Sequence, residues 1–269
     1  MALPYLLQGT SRKMYIFSTK SQVLSVKDLQ RLSLKDKQTS KLSFFDYACE
    51  VQKVLEDMEL TIVQSDWTIG DHESLYGCIE VNNSCPNKEV QELNDIGFPE
   101  GKLFICTRFS PSSQAYGPSF FGALLVGFLE EKSPYVITTG LAGKRSHQSK
   151  LKPIQDIVEE GVCRAYSKSY ELKELSEKLE FSKAMSYEAF GIVCKVFLSL
   201  NLPITKMKKA LDLLDNISAK DNERVKGLDI LRAIYSVKNS LTIPHQYKVL
   251  ANSTPVVYCA IKQLLRLND

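Results

Sequence analysis

The chain has 269 residues, of which 44% are hydrophobic and 24% charged, with 13 glycines and 10 prolines. That suffices for one large domain or two small ones, and its composition excludes a low-complexity or disordered protein. Formal net charge is only +3, and no apolar run reaches the roughly 18–20 residues that a membrane-crossing helix needs.

The opening Met1-Ala2-Leu3-Pro4-Tyr5-Leu6-Leu7 meets Arg12 and Lys13 without a preceding basic stretch or a sustained apolar core, so no signal peptide is expected. The first 42 residues read as a basic, loosely structured segment, with Met14 to Phe17 a short strand and Val23 to Leu34 a short helix. Ser43 opens a firmer helix. Its hydroxyl suits a free amide of the first turn, Asp46 lies near the positive helix end, and Phe44, Tyr47, Val51, Val54, Leu55 and Met58 share one face. Leu60 to Val63, Gly77 to Val81 and Lys102 to Phe109 are β-branched and aromatic runs bounded by turn residues, hence strands. Phe98-Pro99-Glu100-Gly101 is a turn. Phe120 to Leu129 is either a helix or a buried strand, and Tyr135 to Thr139 is a strand stopped by Gly140.

After Lys152 the pattern is helical. A first segment covers Ser182 to Leu200, with Met185, Phe190, Val193, Val196, Phe197 and Leu200 as its apolar stripe, and Asn201-Leu202-Pro203 ends it. Thr205 to Ile217 follows. Asp221 is a candidate cap for a helix through Val225, Leu228, Leu231, Ile234 and Val237. Thr254-Pro255 reads as the start of the last helix, because proline is pre-shaped for the first helical position. The expected class is α+β: a β-containing N-terminal and middle portion, then a helical C-terminal portion. The expected organisation is a segment 1–42, an α+β core 43–150 and a helical region 151–269 that is either separate or packed on the same core.

Charge is unevenly placed. Residues 1–41 hold eight basic and two acidic side chains, residues 54–101 eleven acidic and one basic, and residues 141–152 four basic and none acidic. Such asymmetry steers a protein toward phosphate-bearing surfaces or toward its own copies. The seven cysteines are widely and irregularly spaced, with no Cys-x-x-Cys and none at zinc spacing from a histidine. They read as free thiols in a reducing compartment. Gly140-Leu141-Ala142-Gly143-Lys144-Arg145-Ser146 fails as a phosphate loop, since Thr138 stands where the first glycine belongs and Arg145 where Ser or Thr belongs. His72, His147 and His245 form no zinc pair, there is no Gly-x-Ser-x-Gly elbow, and adjacent acids such as Glu130 with Glu131 diverge on a helix. No enzyme activity, metal or cofactor is therefore expected. Tyr247-Lys248-Val249-Leu250 fits a tyrosine sorting pattern that is common by chance. The strongest candidate surface is the loop carrying Lys144, Arg145, Lys150 and Lys152, with Arg12 and Lys13 as cooperating contacts to membrane or ribonucleoprotein.

Residues 102–145 resemble part of the matrix protein of rhabdoviruses, a family of negative-strand RNA viruses. The shared order is the strand Leu103-Phe104-Ile105-Cys106-Thr107, an Arg-Phe-Ser linker, an apolar segment after Tyr116, and Tyr135 leading to Gly-x-Ala-Gly-Lys-Arg at Gly140 to Arg145. Ser146 replaces the aromatic that usually follows the Lys-Arg pair, and no budding motif is present. The resemblance implies a structural protein of the virion that self-associates and links anionic membrane to viral ribonucleoprotein, in the host cytoplasm and at the membrane periphery. Its implied partners are its own copies, an anionic membrane surface, viral ribonucleoprotein or RNA, and host proteins. An RNA-binding, movement or nucleocapsid accessory protein, and a protein-protein interaction module, are the alternatives.

Overall fold

The computed structural model describes residues 23–33, 43–70, 74–82, 102–110, 118–126, 135–138, 154–169, 171–219 and 224–267. Strands β1 (Thr61–Gly70), β2 (Ser74–Asn82), β3 (Lys102–Phe109), β4 (Ser119–Val126) and β5 (Tyr135–Thr138) form one antiparallel sheet in chain order. Side chains of a strand alternate between faces, and here each face has its own helical cover.

One face is covered by α1 (Val26–Ser33), α2 (Phe44–Asp57) and α3 (Ile154–Ser169). Trp67, Leu75, Ile79, Ile105, Phe109 and Phe120 point to it and pack with Tyr47, Val51, Leu55, Val158 and Val162. Ser43 caps α2 as expected: its Oγ accepts the Asp46 amide at 3.1 Å, and its own amide donates to the Asp46 carboxylate at 3.3 Å. Two glycines set the spacing. Gly77 pairs with Trp67 across β1 and β2, and a Cβ there would enter the indole ring. Gly161 of α3 gives the Phe120 ring the same room.

The opposite face carries Tyr76, Cys78, Phe104, Cys106, Phe121 and Ala123, which pack with the C-terminal helices. These are α4 (Glu171–Phe181), α5 (Ser186–Ser199), α6 (Ile204–Ser218), α7 (Gly227–Tyr235) and α8 (Ile243–Leu267), with the short strands β6 (Lys183–Met185) and β7 (Arg224–Lys226) paired antiparallel among them. Tyr247 of α8 is a main anchor. Its ring meets Tyr76 at 5.4 Å and Phe121 at 5.2 Å, and its hydroxyl reaches the Ser119 hydroxyl at 2.7 Å.

The α+β class is the one the residue pattern indicates, and Phe120 to Val126 is strand, not helix. Four local expectations change. The first strand continues to Gly70, through the polar Gln64, Ser65, Asp66 and Thr68, because each finds a partner on β2. The segment from Ser182 begins as β6, and α5 starts only at Ser186. The last helix does not start at Thr254-Pro255; α8 runs through Pro255 from Ile243. Burial of Val249, Leu250 and Ala251 before the proline, and of Val257, Ala260 and Ile261 after it, outweighs the hydrogen bond that the ring removes. Likewise α7 follows β7, with Lys226 at its cap position, and Asp221 lies outside the described residues. So do Met14 to Phe17 and Phe98 to Gly101.

Candidate functional site

The six basic residues singled out from the sequence, Lys144, Arg145, Lys150, Lys152, Arg12 and Lys13, all lie outside the described residues. The strand that leads to that loop is described. β5 ends at Thr138, whose amide donates to the Thr254 hydroxyl of α8 at 3.2 Å. His72 and His147 also lie outside the description, and His245 bonds to the Thr242 hydroxyl at 2.9 Å. Among the described residues no group of three or more metal-ligating side chains converges, and no helix is long and apolar enough to cross a membrane.

Two places among the described residues stand out as candidates. The first is the corner where α5 turns into α6. Leu202 is buried and pins the turn, its amide bonding to the Phe197 carbonyl at 2.9 Å, and Asn201 takes a left-handed φ of 52°. With Leu202 held inward, Leu198 on one side of the turn stays 68% exposed and Ile204 on the other 66%. Lys195, Lys208 and Lys209 are exposed beside them and Lys206 is half-buried. No acidic residue occurs between Glu188 and Asp212. Helix α6 has neither a side-chain cap nor an acid in its first turn. Its N-terminal partial positive charge is thus reinforced by Lys206 in the first turn, at a cost to the helix of about 0.3–1 kcal/mol, with Lys208 and Lys209 following in the second turn. The corner therefore joins two exposed aliphatic side chains to a concentrated positive field. The sequence does show a stretch of 23 residues whose only charges are lysines. Periodicity places Leu198 inside the first helix and leaves Ile204 between the two, and it does not show that the turn holds both outward.

The second place is interior. The face of the sheet under the C-terminal helices carries a row, Asp66, Cys78, Cys106 and Phe121, each opposite the next across β1 to β4. The Cys78 and Cys106 sulfurs are 3.5 Å apart. Lys238, in the 3-10 turn Lys238–Ser240 after α7, is only 8% exposed and lies within electrostatic reach of both thiols. Burial lowers the Lys238 pKa to about 8, against the pull of the two thiols. Burial raises that of the Cys78 thiol well above its ordinary value; the neighbouring Cys106 and Asp66 push it the same way and Lys238 opposes. One row away, the Arg108 guanidinium lies 5.7 Å above the Tyr76 ring. By spacing alone Cys78 and Cys106 are two unrelated free thiols; their register, visible only once the strands pair, brings them together. No protein-family model, no curated protein and no solved structure matches this chain.

Proposed function

We propose that this is a non-enzymatic, matrix-type assembly protein that docks on anionic membrane surfaces through the α5–α6 corner. The observation that carries this reading is the pairing of exposed Leu198 and Ile204 with Lys195, Lys206, Lys208 and Lys209, without an intervening acid. Aliphatic side chains seat at the boundary of headgroup and acyl chain, while each lysine near an anionic surface adds about 1 kcal/mol, screened within a Debye length. A helix start loaded with lysines is poor for folding and good for holding phosphate. Lys144, Arg145, Lys150, Lys152, Arg12 and Lys13 stay in this reading as contacts to ribonucleoprotein, on sequence grounds alone. Self-association through the oppositely charged segments completes the matrix-type role.

Vesicle co-sedimentation tests it. The full chain is expected to pellet with phosphatidylserine-containing vesicles and not with neutral ones, and to release as salt rises. Lys208→Glu with Lys209→Glu should weaken binding at least tenfold, and Leu198→Ser with Ile204→Ser should weaken it while leaving its salt dependence intact. Binding to single-stranded RNA with no binding to vesicles would favour the accessory RNA-binding alternative and overturn the membrane reading.

A further inference from the structure

We infer that Cys78 and Cys106 are a site of reversible oxidation, a dithiol that a small hydroperoxide converts to a cross-strand disulfide beside the Lys238 ammonium. The two residues are direct partners in the β2–β3 register, and their sulfurs already touch at 3.5 Å. A disulfide needs about 2.05 Å, so closure asks for a movement of about 1.5 Å, within reach of side-chain rotation and a small breathing of two adjacent strands.

Lys238 is what separates this pair from two inert core thiols. Among the described residues it is the one charged side chain in the buried class. It comes from a different element, the 3-10 turn after α7, and its charge acts on both sulfurs. Burial favours the protonated Cys78 thiol, while the Lys238 charge favours its thiolate, which is the reactive form. Cys78 is 4% exposed and Cys106 fully buried, so Cys78 is the sulfur that a small oxidant meets first.

The steps balance. Cys78 gives its proton to a solvent base. The thiolate attacks the distal oxygen of the hydroperoxide, forming an S–O bond and breaking the O–O bond, and the leaving alkoxide takes a proton back from solvent. The Cys106 sulfur then attacks the sulfenic sulfur. The S–S bond forms, the S–O bond breaks, and hydroxide departs with the Cys106 proton as water. Two thiols and one hydroperoxide give a disulfide, an alcohol and water, the two sulfurs supplying the two electrons that reduce the peroxide bond. In the bridged state the two strands at the centre of the sheet are covalently tied.

The experiment treats the folded full chain with hydrogen peroxide, blocks the remaining thiols with iodoacetamide in denaturant, and maps the peptides. The expected product is a peptide pair joined through Cys78 and Cys106 that dithiothreitol separates, with a thermal midpoint several degrees above that of the reduced protein. Lys238→Met should slow bridging at least tenfold with the fold retained by circular dichroism. Cys78→Ser and, as a second variant, Cys106→Ala should each abolish the joined peptide. Bridging that occurs only in denaturant, or oxidation of the native chain at other cysteines with Cys78 and Cys106 both left alkylatable, would overturn the site. Equal bridging rates in Lys238→Met and the natural chain would overturn the part given to the lysine.

Discussion

Lys238 loses hydration on folding, and that loss outweighs the pull of the two neighbouring thiols. Its pKa falls from an ordinary 10.5 to about 8. Between those values the unfolded chain binds the proton and the folded chain releases it, so stability rises with pH. From pH 7 to 8.5 the gain should be about 1 kcal/mol. Above about pH 9 the trend should reverse. The Cys78 thiol, like the Tyr47 and Tyr247 hydroxyls, is pushed up by burial, so the folded chain keeps protons there that the unfolded chain gives up. Urea titrations across this range are expected to show a maximum, and Lys238→Met should remove the rising limb alone. A rising limb that persists in the variant would place the titration elsewhere.

Helices and strands differ in how much of them a local rule can see. α2 was legible because its start is a closed local unit, Ser43 with Asp46, and its buried face repeats at helical spacing. β3 was legible because its apolar run has turn residues at its borders. β1 was half legible: Gln64, Asp66 and Thr68 become strand through the partners Glu80, Cys78 and Tyr76 on β2, beyond the reach of a local pattern, and a bulge at Val63 shifts the register. β6 and β7 are three residues each and pair across about forty residues of chain, so neither carries a signal of its own. The interior thiol pair has the same origin, since register between distant strands cannot be read from spacing. Pro255 is the instructive failure, because the local rule was sound and tertiary packing overrode it. The two readings differ in sign. A proline at a first helical turn restrains the unfolded chain, so Pro255→Ala would then be neutral or destabilising. In the interior of α8 the ring removes the hydrogen bond to the Ala251 carbonyl. Pro255→Ala should therefore raise stability by about 1–3 kcal/mol, read as a higher urea midpoint at unchanged slope.

At the scale of the whole molecule the sheet is shared property. Tyr76, Cys78, Phe104 and Cys106 belong to the C-terminal core, while Leu75, Ile79 and Ile105, their immediate neighbours on the same strands, belong to the core under α2 and α3. Neither helical layer can leave without uncovering one face of strands that the other layer needs. Each buried aliphatic or aromatic side chain is worth about 1.5–3 kcal/mol, so a half-stripped sheet is far less stable than either end state. The chain supplies its own pair of probes. Its single tryptophan, Trp67, is 1% exposed and lies in the α2 layer, whereas far-ultraviolet circular dichroism is dominated by the helices of the opposite layer. Tryptophan fluorescence and circular dichroism should therefore report one midpoint on thermal or urea unfolding, as a two-state transition requires. Midpoints separated by several degrees would mean that the two layers unfold independently, and that the alternation of residues along β2 and β3 does not couple them.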